Sequence, residues 1–86
     1  MKEFRWSKLK SEWLKKVRGV SFEELVTAEV VTYRKHSNRQ FQRIVFFYYK
    51  DYIWLAPYVE ETDYIFLKTL YPSRKFTKKY RRGELK

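Results

Sequence analysis

The sequence predicts an α+β domain, with two N-terminal helices packed on an antiparallel β-sheet meander and a short C-terminal helix. Three observations predict it. Apolar residues recur at helical spacing before Gly19. β-branched and aromatic runs separated by short polar turns follow from Val30. Pro72-Ser73 then introduces a basic segment in which Phe76 and Tyr80 stand four apart.

The elements follow in order. Glu3-Phe4-Arg5-Trp6 alternates polar and aromatic residues, which suits a short edge strand. From Ser7 to Arg18, Trp6, Leu9, Trp13 and Val17 form an apolar stripe that Leu14 widens. Lys8, Lys10, Glu12, Lys15, Lys16 and Arg18 take the wet sides. The stripe is expected to be the buried side, with Ser7 as N-cap and Gly19 as the left-handed residue that ends the helix. Ser21-Phe22-Glu23-Glu24 is a capping box, flanked by Val20 and Leu25 at staple positions, and predicts a second helix to about Ala28.

Val30 to Tyr33 then begins the strands. Arg43–Tyr49 and Tyr52–Val59 predict a hairpin around Lys50-Asp51, although the turn lacks the Gly or Asn that a primed turn favours. Pro57 has no N–H to give a ladder, so its end of the strand is expected at an edge or bulge. Tyr64 to Tyr71 reads as a further strand, and Ser73 as the cap of a helix ending near Arg82. Short turns between consecutive strands predict an antiparallel meander in a two-layer domain. One sheet face goes to the two early helices, and the other is left for the C-terminal helix, a partner or both.

The chain has 86 residues, which allows one domain, 1–86. Its aromatic content of 21% supplies the buried area that so short a chain otherwise lacks. With no Cys and a single His, it excludes a disulfide framework, a thiolate zinc site, a cysteine nucleophile and a histidine-rich metal site. No metal or other cofactor is expected. The longest apolar run, Ile44 to Tyr49, is far shorter than a membrane helix, and the first residues lack the apolar core of a signal peptide. A cytoplasmic protein without a membrane partner is expected.

Twenty Lys and Arg oppose ten Asp and Glu, for a net charge of +10. No acid stands between Glu29 and Asp51, where Arg34, Lys35, Arg39, Arg43 and Lys50 fall. From Lys68 onward, Arg74, Lys75, Lys78, Lys79, Arg81, Arg82 and Lys86 face Glu84 alone. Such a surface is the footprint of a phosphate-backbone binder, and aromatics such as Tyr33, Phe41, Tyr48 and Tyr71 can stack on unpaired bases. Arg74 and Lys75 begin a helix, where backbone amides and a guanidinium can converge on one phosphate. Lys68 lies within an apolar strand, either snorkelling or pointing into a site. His36, set among cations that favour its neutral form, suits a general base. The same surface also fits a non-catalytic nucleic-acid-binding domain, or a protein-interaction domain with an acidic partner.

Three stretches resemble BrnT-type toxins, small RelE-like ribonucleases of bacterial type II toxin–antitoxin systems. They are Phe4-Arg5-Trp6-Ser7, Gly19-Val20-Ser21-Phe22-Glu23-Glu24, and Ile65 to Lys75 running into Thr77-Lys78-Lys79-Tyr80. The resemblance covers about Phe4 to Tyr80. It implies the RelE-like fold, metal-independent cleavage of mRNA by 2′-hydroxyl attack on the adjacent phosphate, and a cognate antitoxin. By position, Lys16 and Arg18 match the family's basic residues before the helix-capping serine, and His36 matches its histidine after the first long strand. Arg43 matches the arginine that opens the next strand, and Arg74 the arginine that starts the last helix. The implied catalytic set is His36 as base or acid and Arg43 and Arg74 on the phosphate, with Lys68 and Tyr80 as further proton-transfer candidates. Lys16, Arg18, Arg34, Lys35, Lys75, Lys78, Lys79, Arg81 and Arg82 would hold the RNA.

Overall fold

The computed structural model describes residues 2–35 and 43–85. In chain order the elements are β1 (Glu3–Trp6), α1 (Lys8–Arg18), α2 (Phe22–Leu25), β2 (Glu29–Lys35), β3 (Arg43–Tyr49), β4 (Tyr52–Glu60), β5 (Tyr64–Leu67), β6 (Tyr71–Ser73) and α3 (Arg74–Arg81). The helix boundaries follow their caps. Ser7 accepts from the Lys10 amide, and Gly19 adopts φ 79° after α1. Ser21 and Glu24 form the reciprocal capping box of α2, which stops at Leu25, short of Ala28. Ser73 accepts from the Phe76 amide to start α3.

The sheet is mixed, in the order β1-β5-β4-β3-β2. β2 to β5 form the expected antiparallel meander, whereas β1 runs parallel to β5, with Phe4 opposite Ile65. The stretch expected as one strand from Tyr64 to Tyr71 divides into β5 and β6. Both pair with β4, β5 from Tyr58 to Glu60 and β6 from Ile53 to Leu55. Pro57 therefore sits inside a central strand, but between those two partners. Its carbonyl accepts from the Lys68 amide at 2.8 Å. Its missing N–H points to that same side, where neither short strand is paired.

At the β3–β4 hairpin, Lys50 and Asp51 both take positive φ, 52° and 62°, so the primed geometry forms without glycine or asparagine. The Tyr48 hydroxyl donates to Asp51 Oδ1 at 3.1 Å, and Arg81 donates to the Asp51 carbonyl at 3.1 Å; both contacts hold the strained residue in place. In the β2–β3 ladder a bulge lies between Val30 and Thr32.

Helices cover both sheet faces, so the domain has three layers rather than two. On the first face Leu14, Val20, Phe22 and Leu25 pack with Val45, Phe47, Trp54, Ala56, Tyr58, Ile65, Leu67 and Leu70. On the second, α3 supplies Phe76 and Tyr80 against Phe46, Ile53 and Leu55, and Leu85 closes over the same cluster. Leu85 reaches it through a Schellman ending: Gly83 adopts φ 74°, its amide donates to Tyr80, and the Glu84 amide donates to Lys79.

The expected inward side of α1 is corrected. Leu14 and Ser11 are its buried residues, whereas Leu9, Trp13 and Val17 are 80%, 49% and 53% exposed. A polar contact decides this orientation. Ser11 Oγ accepts from the Phe22 amide at 2.9 Å and donates to Glu23 at 2.5 Å, so the small serine lets α1 and α2 meet at a hydrogen-bonded seam. The Trp6 indole adds a second donor to Glu23 at 3.2 Å. These bonds, that of Ser11 foremost, hold the Glu23 carboxylate below its ordinary pKa.

Candidate nucleic-acid interface

On the second sheet face a cavity of about 310 Å³ opens beside α3, lined by Arg34, Lys35, Ile44, Phe46, Leu55, Tyr71 and Phe76. Strand register explains its composition. Arg34 stands opposite Ile44, and Phe46 opposite Leu55, which is in turn opposite Tyr71. Phe76 drops onto this floor from the first turn of α3, its ring edge-on to Phe46 with centroids 4.9 Å apart.

Three cations surround the Phe76 ring: the Arg34 guanidinium at 5.7 Å, Lys75 Nζ at 5.5 Å and Lys79 Nζ at 5.7 Å. Arg34 also lies 5.4 Å from the centroid of Phe46. Each contact alone is worth about 0.5–1 kcal/mol when exposed. The three charges repel one another, so an anion bound among them relieves that repulsion.

Carboxylates are engaged elsewhere. Glu24 binds Lys15 at 2.8 Å and lies 3.9 Å from Lys50; Glu60 binds Lys2 at 2.8 Å and lies 3.9 Å from Arg43; Glu3 binds Arg5 at 2.7 Å. Glu24 is the most perturbed acid, lowered to about 2 by the Lys15 ammonium first and the Ser21 amide next. Among the described residues no carboxylate lies within salt-bridge distance of Arg34, Lys35 or the cations of α3. The acid-poor stretch of the sequence becomes a groove whose lining, among the described residues, holds no acid.

The other expected site residues fall in distinct places. His36 lies outside the described residues, one position beyond the groove-lining Lys35. Arg43 pairs with Lys35 and Tyr58, on the first face, opposite Ile44 and Phe46 in the alternation of β3. Arg74 is exposed at the start of α3. Arg43 aligns with Tyr58 of β4, and Ser73, next to Arg74, aligns with Ile53. That offset along β4 is roughly 17 Å at a strand's rise per residue. The two arginines are not brought onto one phosphate.

Lys68 is exposed beyond β5, its ammonium 5.9 Å from the Phe66 ring, the snorkelling arrangement. Arg18 donates to the Leu70 carbonyl and Arg81 to Asp51, so both have structural bonds. Tyr80 stacks on Tyr48. Lys16, Lys78 and Arg82 are exposed.

By its spacing from Tyr80, Phe76 reads only as a residue on one helical face, not as the centre of a cation cluster. Its signal was present, because Lys75 and Lys79 stand one before and three after it on a helix. Arg34 joins them only through strand pairing. Comparisons with protein-family models, with curated proteins and with solved structures found no match.

Proposed function

We propose that this chain is a metal-independent endoribonuclease of the RelE-like toxin type, acting on mRNA in the cytoplasm and held in check by a cognate antitoxin. The observation that supports it is the groove in which Arg34, Lys35, Lys75 and Lys79 meet Phe46, Tyr71 and Phe76 with no carboxylate in its lining among the described residues. A phosphodiester satisfies the cations, and an unpaired base stacks on the rings. The resemblance to BrnT-type toxins supplies the reaction.

In that reaction the ribose 2′-oxygen attacks the adjacent phosphorus and the bond to the 5′-oxygen breaks. The products are a 2′,3′-cyclic phosphate and a 5′-hydroxyl. His36 takes the 2′-proton, and the leaving oxygen is protonated in turn. Arg34 and Arg74 stabilise the charge that builds on the phosphoryl oxygens. The separation of Arg43 from Arg74 gives Arg43 no share in that phosphate and favours a role in holding the strand.

The test is cleavage of a single-stranded RNA in EDTA by the wild type and by Arg34→Ala. Cyclic-phosphate or 3′-phosphate ends and a loss of about 10²-fold in the variant support the reading. Products with 3′-hydroxyl ends overturn it. Salt-dependent binding with no cleavage leaves a nucleic-acid-binding domain.

A further inference from the structure

We propose that the outer row of α1, formed by Leu9, Trp13 and Val17, is a docking ridge for an acidic amphipathic helix of another protein. These three side chains stand at successive i+4 positions and are 80%, 49% and 53% exposed. The buried side of α1 is already made by Ser11 and Leu14, and the row lies outside both core clusters. A solvent-facing line of large apolar residues is costly to keep soluble and marks an interaction surface.

Its shape selects the occupant. Residues four apart on a helix form one ridge, which fits the groove between side-chain rows of a second helix crossing at about −50°. The row is a single line about 12 Å long, from the helical rise between Leu9 and Val17. That is narrower than the broad apolar face with which a helix lies in a lipid surface.

Its charge selects the partner's sign. Lys10 and Lys16 border the row on its two sides, and Lys8 adds a third cation, against Glu12 alone. The Lys10 ammonium lies 5.0 Å from the Trp13 ring centroid. Carboxylates flanking an apolar face would meet these lysines and steer the encounter. A second copy of this chain carries another +10 and is repelled. Because α1 and α3 lie on opposite faces of the sheet, a helix docked here leaves the cation-lined groove open. This inference stands apart from the ribonuclease reading.

The probe is a labelled synthetic helical peptide with an apolar face bordered by glutamates, compared with the same peptide bearing lysines. The glutamate peptide should bind the wild type at least tenfold more tightly than the lysine peptide. In Leu9→Gln/Trp13→Gln/Val17→Gln its affinity should fall at least tenfold, with the melting temperature and RNA cleavage unchanged. Lys10→Glu/Lys16→Glu should reverse the peptide preference, and this arm decides the matter if the triple variant fails to fold. Equal binding of the two peptides, or no effect of the substitutions, overturns the proposal. So does a wild-type dimer in sedimentation that the triple variant dissolves, or flotation with phosphatidylserine vesicles in place of peptide binding. RNA cleavage is read separately, so failure of either proposal leaves the other standing.

Discussion

The Tyr80 ring stacks on Tyr48, with centroids 4.6 Å apart and planes inclined by 28°. The contact fastens the last turn of α3 to β3. The Thr77 hydroxyl does the same at mid-helix, donating to the Ser73 carbonyl at 2.6 Å and accepting from the Ile53 amide at 2.9 Å. Tyr80 is thus a packing residue, and its ring matters more than its hydroxyl. Tyr80→Phe is expected to melt like the wild type and cleave RNA at a similar rate, whereas Tyr80→Ala should lose about 1–3 kcal/mol. Thermal melts with cleavage rates on both variants check this; a rate loss in Tyr80→Phe at an unchanged melting temperature would place the hydroxyl in the chemistry.

Arg74→Ala should lower cleavage by about 10²-fold while changing stability by no more than about 0.5 kcal/mol, since the side chain is exposed. Arg43→Ala, from the other end of the sheet, should lose much less. Arg74→Lys should rescue poorly because an ammonium lacks the two-pronged contact. Single-turnover rates on the three variants separate these outcomes.

Replacing Lys75 and Lys79 by alanine should flatten the salt dependence of RNA binding. For single strands the slope of log affinity against log salt changes by about 0.7 for each phosphate contact removed. Binding isotherms across a salt series measure it, and an unchanged slope would show that both lysines face only water.

Glu24 sets an acid limb. Its folded pKa of about 2 lies below the ordinary carboxylate value of 4.5, so its contribution to stability is complete above 4.5 and is lost as pH falls toward 2. Glu24→Gln should therefore lose stability at neutral pH and show a shallower decline across that window. Melting temperatures of both proteins between pH 2 and 6 test the sign, as an order-of-magnitude window.

Lys50 adopts φ 52° at the β3–β4 turn, a conformation that asparagine tolerates better. Lys50→Asn should raise stability by about 0.5–1 kcal/mol, read from urea unfolding.

The caps, the first helix, the hairpin and the terminal helix were legible because each is written in adjacent residues. Ser21 and Glu24 form the box that their spacing announces, and Val45 with Phe47 face away from Ile44 with Phe46. The inward side of α1 was not legible. Hydropathy favours Leu9, Trp13 and Val17, whereas the fold buries Ser11, whose value lies in the hydrogen bonds it makes to residues of the next helix. The parallel pairing of β1 with β5 joins residues some 60 positions apart, beyond any local pattern. The groove was legible as charge but not as a place, because Arg34, Phe46, Leu55, Tyr71 and Phe76 come from five separate elements.

The bulge at Val31 bears on how the molecule avoids self-templating. β2 is an outer strand of seven residues, long enough to offer a continuous row of free amides and carbonyls to a neighbouring chain. An extra residue between Val30 and Thr32 kinks and twists that row, and Arg34 and Lys35 add like charge at its end. Straightened, the Val30-Val31-Thr32-Tyr33 edge would be a flat β-branched surface of the kind that seeds cross-β growth. The irregularity in the ladder is thus a safeguard against fibrillation, placed at an edge that no other strand pairs among the described residues.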